Sequence, residues 1–239
     1  MVMWSKRCGI MQRRKGSALA VGCLLAALVA IPAWGAFAAA PRKIRAVDAD
    51  NHNILFNKPG VVTLVIGTSE DSQDAAREAG VTVYPFQGRT DFQLIVAVDL
   101  HDSIATWAPS IAISRMKSSL DGEAVELKPY FVKNGNRGNP RSSCHVVPDF
   151  KGTLFAQLGW PESSSDLRAV IFGSDGKEYK RFDKVDNMNV LFNTVRSAIS
   201  DYVELRRAHA AAAPPVPGTR STALGPNLPP LPPPMPVGP

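Results

Sequence analysis

Four short clusters hold the residues of this chain with the greatest chemical capacity. The first is Thr68-Ser69-Glu70-Asp71-Ser72-Gln73, a turn of hydroxyls, carboxylates and an amide between the apolar run VVTLVI and an alanine-rich stretch. In an α/β protein the carboxyl end of a buried strand and the amino end of the next helix both point at such a turn, so binding or catalytic groups collect there. This one has no cysteine, histidine, lysine or phosphate-loop glycines. The second cluster, Asp48, Asp50, His52 and Asn53, contains metal-ligand types. It lacks the ligand count and closing glutamate of a calcium loop and reads as a polar hairpin turn. The third, His101 and Asp102, follows a strand-like run without a partner motif and reads as turn and cap residues. The fourth is Cys144 beside His145. Successive strand residues face opposite sides, and no helix amino terminus is placed to lower the thiol pKa, so Cys144 reads as structural. No catalytic residue, metal or cofactor is assigned.

The elements that would position these groups are legible from periodicity. VVTLVI is β-branched and apolar on both sides, as a strand covered on both faces should be, with Gly67 breaking it and Thr68 or Ser69 capping a helix. Before it, IRAVDADNHNILF reads as a β-hairpin, and after it FQLIVAVDL reads as a second buried strand. Pro109 to Leu120 reads as a helix with proline in its first turn and with Ile111, Met116 and Leu120 as core candidates. Asp121 to Ser143 reads as an exposed irregular loop, because NGNRGNPRSS is rich in glycine, asparagine and proline. CHVV then gives a strand, DFKG a turn, TLFAQLG a short helix, and SSSDLRAVIFGSDGKEYKRF a strand, Ser-Asp-Gly hairpin turn and strand. Met188 to about His209 is the last helix.

The ends of the chain bear on compartment. Residues 1–40 run from a basic region through the apolar stretch Ala18 to Ile31 to A-x-A patterns ending at Ala38 and Ala40, the design of a secretory signal peptide. Its alternative is an uncleaved membrane anchor with the domain outside the cytoplasm, the one case in which the chain would contact a membrane. The whole chain carries +6, from 27 basic and 21 acidic residues. Removing Lys6, Arg7, Arg13, Arg14 and Lys15, with no acidic residue before position 41, leaves 22 against 21, or +1. The basic isoelectric point therefore belongs to the leader and does not point to nucleic acid. Of three cysteines, Cys8 and Cys23 lie in the leader, so Cys144 has no partner for an internal disulfide. Residues 41–209 suffice for one domain. Residues 210–239 are proline-rich, without hydrophobic periodicity, and read as a disordered tail of polyproline II character that adds nothing to stability. Its P-x-x-P spacings fit a spacer through the periplasm or cell wall better than a cytosolic SH3 or WW ligand.

Three stretches carry a family resemblance. AVDADNHNILFNKPGVVTLVIGTSEDSQ, HVVPDFKGTLFAQLGW and RAVIFGSDGKEYKRF are similar to the opening, the strand with its Asp-x-x-Gly turn, and the final hairpin of exported thioredoxin-fold thiol reductases and peroxiredoxins. The resemblance spans about Ile44 to Tyr202. It implies an α/β three-layer fold, a central mixed sheet flanked by helices, in the periplasm or secreted. It places Glu70 and Gln73 where the two cysteines of a Cys-x-x-Cys turn would stand, and Leu167 where the family's cis-proline precedes the hairpin. Dithiol exchange has no thiols at that turn. The pattern is similar to periplasmic thioredoxin-fold proteins without redox cysteines.

Two functions of different classes follow. One is a non-catalytic envelope module whose former active-site face, Thr68, Ser69, Glu70, Asp71 and Gln73 with Asp166 and Leu167, binds a protein partner. The alternative is a one-cysteine thiol peroxidase or thiol carrier using Cys144. A structural reading, in which the domain is a passenger on a wall spacer, stands beside them.

Overall fold

The computed structural model describes residues 42–160, 165–212 and 228–237. Residues 1–40, expected to be a secretory signal, and residues 213–227 of the tail lie outside them.

Strand β3 (Val62–Thr68) is buried at every residue. On one side it pairs in parallel with β4 (Phe92–Asp99), which pairs in parallel with β5 (His145–Asp149). On the other side it pairs antiparallel with β6 (Arg168–Phe172), which continues antiparallel to β7 (Glu178–Phe182). The mixed five-stranded sheet thus has the order β5-β4-β3-β6-β7. A separate hairpin, β1 (Arg45–Val47) with β2 (Asn53–Leu55), precedes it. Buried Asn57 fastens this opening to the final hairpin, accepting from the Ile44 amide and donating to the Gly176 carbonyl.

Because side chains alternate across a strand, the sheet has two apolar faces. Val62, Leu64 and Ile66 meet Ala76 and Ala79 of α1 (Gln73–Thr82) and Leu191, Phe192, Val195 and Ile199 of α4 (Met188–Ala212). Val65, Ile95, Val147 and Val170 meet Ile54 and Phe56 of the opening hairpin, Leu154 and Phe155 of α3 (Thr153–Gln157), and Trp160. Helix α2 (Pro109–Lys133) packs Leu120, Ala124, Leu127 and Phe131 against Tyr84, Cys144 and Val146.

Three sequence expectations are corrected. Gly67 does not break the strand: it pairs with Ala97 and Arg168, and it is glycine because the Trp160 ring lies against it. The region from Asp121 to Lys133 is not a loop but the second half of α2. Ala124, Leu127 and Phe131 recur at helical spacing, and Pro129 sits on the exposed side, where its missing amide leaves the Val125 carbonyl to water. Ile111, offered as core, is exposed, while Leu120 is buried.

The tail is the fourth correction. Residues 228–237 form no helix or strand, yet they are held on the domain. Proline supplies no amide, but its carbonyl accepts, and here the donors are side chains. Arg89 binds the Pro229 carbonyl, Arg196 that of Pro232, Asn193 that of Met235 and Asn189 that of Pro236. Leu231 and Met235 pack against the α1–α4 core.

Candidate functional site

The turn after β3 is tightly built. Ser69 and Ser72 form a reciprocal capping box around the single-turn 3-10 helix Glu70–Ser72, and the Thr68 hydroxyl lies 2.9 Å from that of Ser72. Thr68 and Ser72 are buried, whereas Glu70, Asp71 and Gln73 stand exposed at the start of α1. Thr68 is therefore a strand residue that helps hold the turn, and the exposed surface is a carboxylate pair and an amide.

Since β3 and β4 run parallel with Thr68 opposite Val98, the two strand ends arrive together. The Ser103 hydroxyl donates to the Glu70 carboxylate, tying the turn to the segment after β4. His101 Nδ1 lies 2.7 Å from Asp99 Oδ1, and its Nε2 2.9 Å from Asp102 Oδ2. A cleft of about 330 Å³ is lined by Ser69, Glu70, Asp71, Asp99, His101, Asp102, Ser103 and Ser165. A larger cavity of about 680 Å³ opens between α1, α2 and the β4–β5 face. Its apolar wall includes Leu94, Val96, Val98 and Met116, its rim carries Arg77, Arg115, Glu123 and Glu126, and Thr68, Glu70 and Gln73 face it from the turn. Glu70 thus borders both spaces. Beside them the 3-10 turn Ile104–Trp107 leaves Ile104 84% and Trp107 90% exposed, and Ile111 adds a third exposed apolar side chain.

Five of the seven residues assigned to the binding face, Thr68, Ser69, Glu70, Asp71 and Gln73, lie together at the turn, bordering one or other space. Leu167 is corrected: it is 4% exposed and belongs to the α1–α4 core, because β6 continues the buried pattern one residue earlier than its ladder. Asp166 is near Lys184, 3.8 Å away, and does not line the cleft, whereas its neighbour Ser165 does. Sequence reasoning left out Asp99, Ser103 and the exposed Ile104 and Trp107. The parallel pairing of two buried strands was the signal that would have placed their ends together.

Cys144 sits after the 3-10 turn Pro140–Ser143, 8% exposed, with its thiol donating to the Pro140 carbonyl. Burial, helped by the nearby Glu123 carboxylate, pushes the thiol up to about 11. At neutral pH it is protonated and poorly nucleophilic, although it lines the larger cavity.

Asp48, Asp50 and His52 do come together, with ligand atoms within 4.8 Å of one another. Their charges are engaged within the fold. Asp50 pairs with Arg141 at 2.7 Å and Lys117 at 3.7 Å. Buried Asp48 accepts from the Asp50 and His52 amides and lies within hydrogen-bond reach of the His52 and His145 rings. Burial alone would raise its pKa, but these hydrogen bonds, led by the His52 amide, together hold it below the usual carboxylate value. With the Ala49 amide bonded to the Val146 carbonyl, the cluster fastens the hairpin turn to β5.

A central β3 with β4 and β5 parallel on one side, β6 and β7 antiparallel on the other, and helices on both faces is a thioredoxin-like arrangement. Among solved structures the chain is similar to StoA from Bacillus subtilis, at 11% identity and TM-score 0.42, covering 64% of this chain and 96% of that one. It is similar to a peroxiredoxin-like protein from Aquifex aeolicus, at 12% identity and TM-score 0.43, covering 66% and 84%. It is also similar to an exposed lipoprotein thioredoxin from Streptococcus pneumoniae, at 9% identity and TM-score 0.41, covering 65% and 99%. These are likenesses of fold alone. No protein-family model matches the chain, and no curated protein matches it. Among the described residues no helix is long and apolar enough to cross a membrane.

Proposed function

We propose that this chain is a cell-envelope thioredoxin-like module that binds a protein partner through the face around the β3–α1 turn and does not exchange thiols. The observation that carries the reading is the joining of Glu70 to Ser103, which sets the turn beside the exposed Ile104 and Trp107. A carboxylate-bearing cleft flanked by an exposed tryptophan offers both parts of a protein interface, a polar rim and an aromatic anchor. The basic, apolar and A-x-A regions of residues 1–40 support export.

One observation favours the second reading, a one-cysteine peroxidase or thiol carrier: Cys144 lines the larger cavity. Its raised pKa argues against it. The test is insulin disulfide reduction and peroxide consumption by the mature chain. No turnover is expected in either; turnover that vanished in Cys144→Ser would replace the binding reading with the enzyme.

A further inference from the structure

The tail contact has a period. Three of the four tail carbonyls that side chains take, those of Pro229, Pro232 and Met235 held by Arg89, Arg196 and Asn193, lie three residues apart each time, and Asn189 takes the adjacent Pro236 carbonyl off that repeat. Three residues is one turn of a polyproline II helix, which presents every third carbonyl along one edge and which proline pre-forms by fixing its φ. Burial follows the same repeat from Leu228 to Pro233: Leu228, Pro229, Leu231 and Pro232 are partly buried, while Pro230 and Pro233 face solvent; after them Pro234 is exposed and Met235 partly buried. At Met235 the contact is reciprocal, its amide donating to Asn193 Oδ1 at 2.9 Å while its carbonyl accepts from Asn193 Nδ2 at 2.8 Å. Arg89 is itself buried and held by Asp91 through two 2.8 Å bonds, so its remaining amino group is aimed before the tail arrives.

We propose that Arg89, Asn189, Asn193 and Arg196 form a recognition groove for a proline-rich segment in polyproline II conformation, whose resident ligand is the chain's own residues 228–237. Fixed donors at the repeat of a stiff, donor-poor ligand are the elements of polyproline recognition, because the ligand loses little entropy on binding. Here the arginines and asparagines read the carbonyl edge, and apolar surface on the α1–α4 side takes Leu231 and Met235. The groove is distinct from the turn face. Arg89 precedes β4, at the opposite end of the parallel strands from Glu70, and the two proposals stand or fall separately.

The experiment uses the full mature chain and a labelled peptide of sequence NLPPLPPPMPV. A Leu231→Asp/Met235→Asp chain, with its tail released, should bind the peptide at least tenfold more tightly than the parent chain, whose groove is filled. Adding Arg196→Gln to the released chain should lose at least tenfold of that affinity. Equal binding by parent and released chains, or binding indifferent to Arg196→Gln, overturns the proposal. Methyl resonances of Leu231 and Met235 in the parent chain give a readout independent of the released variant. They should lie away from random-coil positions and move toward them in Arg196→Gln; random-coil positions in the parent would also overturn it.

Discussion

The ring of Trp160 lies so close to Gly67 that a Cβ built on the glycine would stand 2.5 Å from Cζ3 of the indole. Glycine inside a strand usually weakens it, and here it admits a large buried ring against the last turnward residues of β3. The turn bearing Glu70 begins two residues later, so this packing helps fix where the strand ends. Gly67→Ala should therefore destabilise the domain by about 1–3 kcal/mol, the usual cost of overpacking. In thermal unfolding, Gly67→Ala combined with Trp160→Leu should cost less than the sum of the two changes. Strict additivity would contradict the contact.

The docked tail should stabilise the domain. Deleting residues 228–239 removes the Leu231 and Met235 contacts and the carbonyl bonds to Arg89 and Arg196. It leaves the Arg89–Asp91 pair in place. A lower melting temperature is expected, by roughly 2–4 °C for each kcal/mol lost. An unchanged melting temperature would show that the tail contributes nothing.

Cys144 should resist thiol reagents at neutral pH. With its pKa near 11, the folded chain should label with a disulfide reagent far more slowly at pH 7.5 than the same chain in denaturant. The sign of the linkage follows: the buried neutral thiol stabilises the fold at pH below the unfolded value, and that contribution is lost as pH rises from about 9 toward 11. Rapid labelling of the folded chain at pH 7.5 would contradict this account.

Asp48 should make the domain acid-sensitive. Its folded pKa is held below its ordinary 3.8, so its contribution is full above that value and is lost as pH falls through the folded pKa. Asp48→Asn turns one acceptor oxygen into a donor facing the rings of His52 and His145. The substitution should cost about 1–3 kcal/mol at pH 7 and less as pH falls below 3.8, as read by denaturant unfolding. A pH-independent cost would contradict the role given to the charge.

The core was legible because it depends on local pattern. VVTLVI, FQLIVAV and LRAVIF read as buried strands, and all three are. The Asp-x-x-Gly turn was legible too: Asp149 accepts from the Thr153, Leu154 and Phe155 amides, and Gly152 takes φ +68°. What the sequence concealed depends on distant partners. Gly67 looks like a strand breaker until Trp160 is beside it. The run from Asp121 to Lys133 looks irregular until Tyr84 and Val146 receive its apolar stripe. A proline-rich tail looks unable to dock until arginine and asparagine side chains supply the donors that proline lacks. Half of the site was visible at the turn, and Ser103 and Trp107 became part of it only through the pairing of β3 with β4.

The central claim is that partners meet this chain at the turn face. Site-specific photocrosslinking tests it most directly, with the photoreactive residue placed in turn at Asp71, Trp107 and Leu205, each in the full chain made in its own cells. Leu205 is exposed on α4 and serves as the control. Discrete adducts from positions 71 and 107, and none from 205, are the predicted result. Adducts of equal yield from all three positions, or none from 71 and 107, would contradict the account.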